Sequence, residues 1–84
     1  MLDKITKKMF SYTVNYEEIN EGGYQVTVPL LPGLITYGRD LSEAKKMARD
    51  AIKCYVESMR KQKEKIPNET SLLQEKITIS LPAL

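Results

Sequence analysis

The chain has 84 residues, with 13 Lys and Arg against 11 Asp and Glu, no His and one Cys. A chain of this length forms one small core. Without His, and with a single thiol, one copy cannot build a His-based catalytic triad, a Cys-His protease site, a structural zinc site or an internal disulfide. Residues 1–42 sum to a charge of −1 and residues 43–84 to +3, so any basic surface should lie on the second half.

The chain contains no segment that predicts membrane insertion or export. No stretch approaches the roughly 20 apolar residues of a membrane helix, and the N-terminus lacks the apolar run of a signal peptide. We therefore expect a cytoplasmic protein. Residues 1–9 are polar and rich in Lys, and we expect them to form a lead-in to a single domain that covers residues 10–84.

Three short strands are predicted in the first half of the chain. Apolar and polar residues alternate from Phe10 to Tyr16 and again from Tyr24 to Val28, which is the period of two of half-buried strands. The acidic and Gly-rich stretch from Glu17 to Gly23 predicts the connection of an antiparallel hairpin. A third strand, Leu34 to Tyr37, follows the turn signal Pro32-Gly33.

One long helix is predicted from Leu41 to about Lys63. Asp40 can cap its N-terminus, with Glu43 in the position that completes a capping box, and Pro67 disfavours helical geometry at the residue before it. Cys54 lies at the flank of the apolar stripe and is interpreted as a packing residue. The core-facing positions recur at three- and four-residue spacing and are Leu41, Ala44, Ala48, Ala51, Ile52, Tyr55 and Met59.

A fourth strand is predicted from Lys76 to Leu81, where the alternation returns before Pro82. The fold class is then α+β with the element order β-β-β-α-β. An antiparallel three-strand sheet carries the long helix on one face, and the fourth strand joins parallel to the first through a right-handed crossover, which predicts the strand order 3-2-1-4. Exposed sheet edges in so small a protein are often covered by another copy, so we also expect a homo-oligomer, either a dimer or a tetramer.

The order and spacing of several short motifs resemble the N-terminal domain of HicB-type antitoxins. The motifs are Glu21-Gly22-Gly23-Tyr24, Val28-Pro29-Leu30-Leu31-Pro32-Gly33, Ile35-Thr36-Tyr37-Gly38, Leu41-Ser42-Glu43-Ala44 and Ile66-Pro67. The resemblance covers Phe10 to Pro67. It implies a partial ribonuclease H-like fold without catalysis and without a cofactor. It further implies the antitoxin of a type II toxin-antitoxin pair, which binds and sterically blocks a HicA-type mRNA-cleaving toxin.

Two alternatives stay open beside this resemblance. Repressors of the family carry a helix-turn-helix or ribbon-helix-helix after this domain, whereas this sequence ends at Leu84, so direct DNA binding is not expected. The stretch from Lys76 to Pro82 could instead be the opening strand of a ribbon-helix-helix motif. The alternative function is a stand-alone oligomeric protein-binding domain of HicB-like fold with a different partner.

Two segments contain the candidate partner-binding residues. Glu17, Glu18 and Glu21 could face a basic, RNA-binding toxin, because opposite charge raises the association rate; a solvated hairpin tip is the plain alternative. The second segment is rich in Pro and Leu, and we expect so small a domain to leave part of it unburied. Its candidate contact residues are Pro29, Leu30, Leu31, Pro32, Gly33 and Leu34.

Catalysis and metal binding are not expected. An active ribonuclease H-like site needs several converging carboxylates to hold its metal ions, and the first three predicted strands contain no Asp or Glu. Asp50 and Glu57 lie on the polar face of the predicted helix. The basic residues of that face could contact RNA or the acidic parts of a partner, or they could form a solvated surface; they are Lys46, Arg49, Lys53 and Arg60.

Overall fold

In the computed structural model, which describes residues 8–69 and 73–83, three short strands precede one long helix. The strands are β1 (Asn15–Glu18), β2 (Tyr24–Thr27) and β3 (Ile35–Gly38), and the helix is α1 (Leu41–Lys61). Both strand pairs are antiparallel, and the sheet order is β1-β2-β3. The α+β class and the 3-2-1 part of the predicted order are confirmed. Residues 1–7 of the predicted lead-in lie outside the described residues.

The predicted boundaries of the first strand are wrong at both ends. Strand β1 begins at Asn15 rather than Phe10, and it continues to Glu18, so two residues assigned to the connection belong to the strand. The register places Tyr16 opposite Val26. Continued backwards, this register would put residue 13 opposite Pro29, which has no N–H to donate. The alternation of apolar and polar residues still predicts which side chains face inward, because residues 12 and 14 pack against the core.

Residues 11–13 pair with the segment that follows the helix instead of with β2. The Glu69 N–H donates to the Ser11 carbonyl at 3.0 Å, and the Ser11 N–H donates to Asn68 Oδ1 at 2.8 Å. The Glu69 carboxylate accepts the Thr13 N–H at 3.0 Å and the Thr13 hydroxyl at 2.6 Å. These bonds tie the chain after α1 to the edge that extends beyond β1.

Glu69 is expected to make this attachment sensitive to pH. The hydrogen bonds from the hydroxyl and N–H of Thr13 hold the pKa of Glu69 below its ordinary value of 4.5. A carboxyl group with a lowered folded-state pKa contributes stability above its unfolded pKa, and this contribution is lost as the pH falls through the folded pKa. We therefore expect the Thr13 amide to lose hydrogen-exchange protection when the pH is lowered beneath the range in which carboxyl groups ordinarily titrate. In the Glu69→Gln variant the protection of this amide should not change at low pH, whereas the Glu57→Gln variant should lose protection at low pH as the wild type does.

A Thr13 amide whose protection does not change with pH in the wild-type protein would contradict this role of Glu69. Residue 57 is a suitable control position because it lies on the exposed side of α1. The local amide is a better probe than global unfolding, because the pKa of Glu43 at the start of α1 is also lowered.

The core lies between the sheet and one face of α1 and has two parts. In the first, Val26 of β2 packs against Ala44 and Ala48. In the second, Val28, Leu31 and Leu34 pack together under the middle of the helix. Among the described residues these six side chains are the buried apolar set. Four further predicted core positions of the helix are half-buried, namely Ala51, Ile52, Tyr55 and Met59, whereas Leu41 is exposed.

The N-terminus of α1 is held by side-chain bonds. Asp40 Oδ1 accepts the Glu43 N–H at 2.8 Å, which confirms the predicted N-cap. The Glu43 carboxylate reaches one residue further back than a capping box requires, since it accepts the Arg39 N–H at 2.6 Å and pairs with the Arg39 guanidinium at 3.1 Å. These bonds, the one from the backbone N–H first, lower the pKa of Glu43.

The C-terminus of α1 closes in a Schellman motif, two residues before the predicted end. The Glu64 N–H donates to the Met59 carbonyl at 2.9 Å, and the Lys63 N–H donates to the Arg60 carbonyl at 3.0 Å. This arrangement puts Lys63 at φ 59°, in the left-handed region that favours glycine. The helix therefore ends at Lys61. The motif is closed by Lys63, a residue type for which the left-handed conformation is less favourable than it is for glycine.

Lys63→Gly is expected to raise the free energy of unfolding by about 0.5–1 kcal/mol. The left-handed conformation costs an L-residue about 1–2 kcal/mol, and part of the gain is offset by the greater entropy of Gly in the unfolded chain. Urea denaturation followed by the helix signal measures the change. Lys65→Gly, just beyond the motif, removes the same charge and should not stabilise the protein. Equal effects of the two substitutions would show that the backbone conformation of Lys63 is not strained.

The predicted fourth strand does not form within the single chain. Residues 73–83 adopt neither helix nor strand, and Ile77, Ile79 and Leu81 are 72%, 71% and 76% exposed. The prediction placed this strand beside the first one. That edge already bonds to Asn68 and Glu69 at residues 11–13, so the apolar side of the C-terminal segment faces no core of its own chain.

Candidate functional site

Three carboxylates gather at the hairpin between β1 and β2. Glu17 and Glu18 lie on β1, Glu21 lies in the turn that follows, and all three are exposed. Together with Ile19, Asn20 and Gln25 they line a shallow concavity of about 280 Å³. Because no basic side chain is part of this lining, the concavity presents a negative potential that attracts a basic partner. We call this set of three glutamates the acidic hairpin.

The turn of the acidic hairpin is held in one shape by short bonds. The Gly22 N–H donates to the Ile19 carbonyl at 2.8 Å, and the Ile19 N–H donates to the Gly23 carbonyl at 3.0 Å. Gly23 has a φ of 87°, and a Cβ at this position would overlap the Tyr37 hydroxyl. That hydroxyl donates to the Gly22 carbonyl at 3.0 Å. The acidic hairpin is therefore a preformed surface that is fastened to β3.

The outer face of the sheet continues the acidic hairpin into an exposed apolar strip. Residues directly opposite each other in an antiparallel sheet share a face. One row on the outer face contains Glu17, Gln25 and Tyr37, and the next contains Asn15, Thr27 and Ile35. Ile35 is 66% exposed and Tyr37 is 47% exposed. The candidate partner contacts predicted from the sequence did not include these two residues, although the alternation from Leu34 to Tyr37 places them on the opposite face from the buried Leu34.

The second predicted segment, Pro29 to Leu34, is divided between the core and the surface. Leu31 is 0% and Leu34 is 7% exposed, so the segment is partly buried, as expected, but the part that stays on the surface does not include these two candidate contact residues. Two successive turns direct these side chains inward. The Leu31 N–H donates to the Val28 carbonyl at 2.9 Å, and the Leu34 N–H donates to the Leu31 carbonyl at 3.1 Å. The surface part consists of Pro29, Pro32 and Gly33, with Leu30 half-buried.

The structure does not bring the two predicted segments together. Strand β2 begins after the acidic turn and ends before Pro29, and four residues of strand span about 13 Å. The acidic hairpin and the proline segment therefore lie at opposite ends of the sheet. Ile35 and Tyr37 lie between them on the outer face, so they extend the acidic hairpin into a larger candidate surface.

The helix places the remaining candidate residues on its solvent side. Cys54 is exposed, so the packing role predicted for it is wrong. The four basic residues of the predicted stripe are also exposed, namely Lys46, Arg49, Lys53 and Arg60. Within residues 8–69 and 73–83 no three side chains of the metal-binding types are arranged to hold an ion. Over the same residues, no helix has both the length and the apolarity to cross a bilayer.

Comparison with known proteins supplies the family. Residues 12–83 match the family described as HicB-like antitoxin of bacterial toxin-antitoxin system. The chain belongs to the HicB-like antitoxin family. This confirms the resemblance inferred from the motifs, and it extends the match of the HicB-like domain beyond Pro67 to include the exposed C-terminal segment.

Individual relatives differ in how much of their length the HicB-like domain spans. A UPF0150 protein of Thermoplasma acidophilum is 41% identical over 68 residues, which cover 81% of this chain and 94% of that protein. A UPF0150 protein of Synechocystis is 31% identical over 68 residues, 81% of this chain and 86% of that relative. Antitoxin HicB 1 of Photorhabdus laumondii is 35% identical over 74 residues, 88% of this chain but 48% of the relative. The chain thus spans most of the two UPF0150 proteins and about half of the Photorhabdus antitoxin.

Proposed function

We propose that this HicB-like domain is the antitoxin of a type II toxin-antitoxin pair, which binds a HicA-type mRNA-cleaving toxin and blocks its active site sterically. The observation that carries the proposal is the preformed acidic hairpin and its continuation into exposed Ile35 and Tyr37. Membership of the HicB-like antitoxin family makes a toxin the first partner to consider.

The chemistry of the partner supports this choice. A protein that cleaves mRNA must hold a chain of phosphates, and it does so with Lys and Arg side chains. An acidic surface attracts such a protein and raises the rate of encounter. Exposed apolar and aromatic side chains beside the charges supply the buried contact on which most interface affinity depends. Inhibition by coverage of the active site then needs neither a covalent step nor a cofactor, and it takes place in the cytoplasm, where the mRNA is.

The ribonuclease H-like relationship and the lack of catalysis stay predictions. A purified chain is expected to show no metal-dependent nuclease activity. Such activity, lost on substitution of Asp50 or Glu57, would contradict the proposal that the domain only binds.

Co-expression with the product of the neighbouring reading frame tests the proposal directly. We expect that product to arrest growth when expressed alone, and we expect this chain to relieve the arrest and to copurify with it. If the product arrests growth and this chain neither relieves the arrest nor copurifies, the antitoxin role fails. A protein-binding domain with a different partner is then the better description.

Reversal of the acidic hairpin is expected to slow association with the toxin by about tenfold or more at low salt. The variant replaces Glu17, Glu18 and Glu21 by Lys, and stopped-flow mixing or surface-based kinetics measures the association rate. The difference from wild type should shrink as salt is added, because screening shortens the reach of exposed charges.

A second triple variant provides the matched control for this measurement. It reverses three exposed acidic residues on or just after the helix, Asp50, Glu57 and Glu64, and therefore changes the net charge by the same amount. Equal association rates for the two triple variants would show that overall charge, rather than the acidic hairpin, steers the encounter.

A further inference from the structure

Four basic side chains form a straight row along the solvent side of α1. A helix turns by about 100° and rises by about 1.5 Å per residue, so the row lies within about 60° of arc and is about 21 Å long. The buried Ala44 and Ala48 lie on the opposite side of the helix, so the row faces away from the core. We call this row the basic stripe; its members are Lys46, Arg49, Lys53 and Arg60, and all are exposed.

The charge of the basic stripe is not neutralised by its own chain. In the part of the chain that the structure describes, the one ion pair joins Arg39 to Glu43 at 3.1 Å, and it includes no residue of the stripe. Asp50 and Glu57 border the stripe along one side, which leaves four cations against two anions. Just beyond Arg60 the exposed basic residues again outnumber the acidic Glu64; they are Lys61, Lys63 and Lys65. This side of the helix therefore attracts an extended anion.

We propose that the basic stripe binds the phosphate backbone of a duplex nucleic acid without reading its base sequence. A duplex carries one negative charge per about 1.7 Å of its axis, so a stripe of about 21 Å runs beside roughly twelve phosphates. Phosphate contacts from Lys and Arg position a protein on a duplex but carry no sequence information. The stripe therefore differs in kind from the operator-binding motifs of the family's repressors.

The surroundings of the basic stripe favour a duplex over a single strand or a membrane. Proteins that bind single strands stack the bases on aromatic side chains. The aromatic residue of α1 is Tyr55, which packs on the core side of the helix and donates its hydroxyl to the Pro32 carbonyl at 2.7 Å. A helix that binds a membrane surface inserts its apolar face into lipid, whereas the apolar face of α1 packs against the sheet and the turns beside it.

This binding activity goes beyond the proposed antitoxin role and uses another face of the domain. Glu17 and Tyr37 lie on the outer face of the sheet, whereas the basic stripe lies on the far side of α1, with the core between them. A toxin on the acidic hairpin would therefore leave the stripe accessible. The two activities can be tested and can fail separately.

Titration of the purified chain into labelled duplexes of about 20 base pairs, which are longer than the stripe, tests the proposal. One arm uses RNA and the other uses DNA, and fluorescence anisotropy reports binding. We expect both duplexes to bind at about 50 mM salt, and tighter binding of one identifies the preferred source of the phosphates. Release of counterions from about four phosphates should lower the affinity roughly a hundredfold between about 50 and 200 mM salt.

Neutralisation of the middle of the basic stripe should weaken this binding. The double variant Arg49→Gln with Lys53→Gln is expected to lower the affinity by about tenfold or more at low salt and to reduce the salt slope by about two. Gln has nearly the helix propensity of Lys and Arg, so circular dichroism should show the helix unchanged. Lys8→Gln with Lys76→Gln is the matched control, because it removes the same charge from exposed residues outside the helix and should change the slope little.

Removal of the bordering carboxylates should have the opposite effect. Asp50→Asn with Glu57→Gln is expected to raise the affinity several-fold, because these groups repel phosphates that lie along the stripe. Glu17→Gln with Glu18→Gln removes the same charge from the acidic hairpin. At about 0.15 M salt exposed charges are screened beyond about 8 Å, so this second pair of substitutions should change the affinity much less.

Four results would overturn the proposal. The first two are absence of duplex binding at low salt, which would make the stripe a solvated face, and equal losses in the two double variants that remove basic residues. The others are binding of a single strand of the same length at least as tightly as the duplex, and equally tight binding of polyglutamate or of vesicles rich in phosphatidylglycerol. The antitoxin role is judged separately, because Arg49→Gln with Lys53→Gln should still copurify with the toxin.

Discussion

Leu31→Ala is expected to lower the free energy of unfolding by about 2–5 kcal/mol. Leu31 is fully buried, and it packs with Val28 and Leu34 under the helix. Removal of its side-chain carbons loses their transfer free energy and leaves a cavity in a core of six buried side chains. A domain of this size has a total stability of about 4–13 kcal/mol. The substitution therefore removes a large part of it, which urea denaturation followed by circular dichroism would measure.

Leu30 provides a control of the same chemistry in the next position. It is half-buried, so Leu30→Ala loses fewer contacts and should cost clearly less than Leu31→Ala. A larger loss of stability for Leu30→Ala would mean that Leu30, rather than Leu31, is the side chain buried in the core. It would also restore Leu31 as a candidate partner contact.

Gly38→Ala is expected to cost about 1–3 kcal/mol through overpacking. A Cβ at Gly38 would overlap the backbone N and Cα of Ala44 and would lie 2.8 Å from the Ala44 Cβ. Ala44 lies in the first turn of α1, and its N–H bonds to the Asp40 carbonyl at 2.9 Å. Relief of the overlap thus requires the helix start to move away from β3. Thermal or urea unfolding measures the loss.

Substitutions at Gly33 serve as a control that distinguishes the steric effect at Gly38 from the effect of backbone strain. Gly33 has a φ of 85°, and a Cβ there would meet no atom within 4 Å, so only the left-handed conformation penalises a side chain. Asn tolerates that conformation better than most residues, so Gly33→Asn should be nearly neutral, whereas Gly38→Asn should be worse than Gly38→Ala. A Gly38→Asn variant as stable as the wild type would refute the close approach of β3 and α1.

Elements defined by neighbouring residues could be predicted from the sequence. The Asp40 cap joins groups three positions apart, so the start of the helix is confirmed at Leu41. The turn between β1 and β2 depends on Gly22 and Gly23, both of which have positive φ. The first strand was harder to predict, because its pairing with β2 stops at Asn15, just before the register would reach Pro29, a residue beyond the end of β2 and far from residue 13 along the chain.

The candidate surface could be predicted only in part for a related reason. Alternation states which residues share a face of a strand, but it does not state which face the helix covers. Leu34 and Ile35 are both large and aliphatic, yet the first is buried and the second is mostly exposed. The three glutamates were found because charge is visible in the sequence, whereas the apolar strip of Ile35 and Tyr37 depends on the position of α1.

The sequence by itself determined the α+β class, the order of the first four elements, the helix and its cap, and the motifs of the HicB-like family. Tertiary structure alone decided the length of β1, the burial of Leu31, and the exposure of Cys54 and of the C-terminal segment. The physical reason is the distance along the chain over which each interaction acts. A cap or turn joins residues three or four positions apart, whereas the bond between Ser11 and Asn68 joins residues 57 positions apart, and such a bond exists only once the chain has folded.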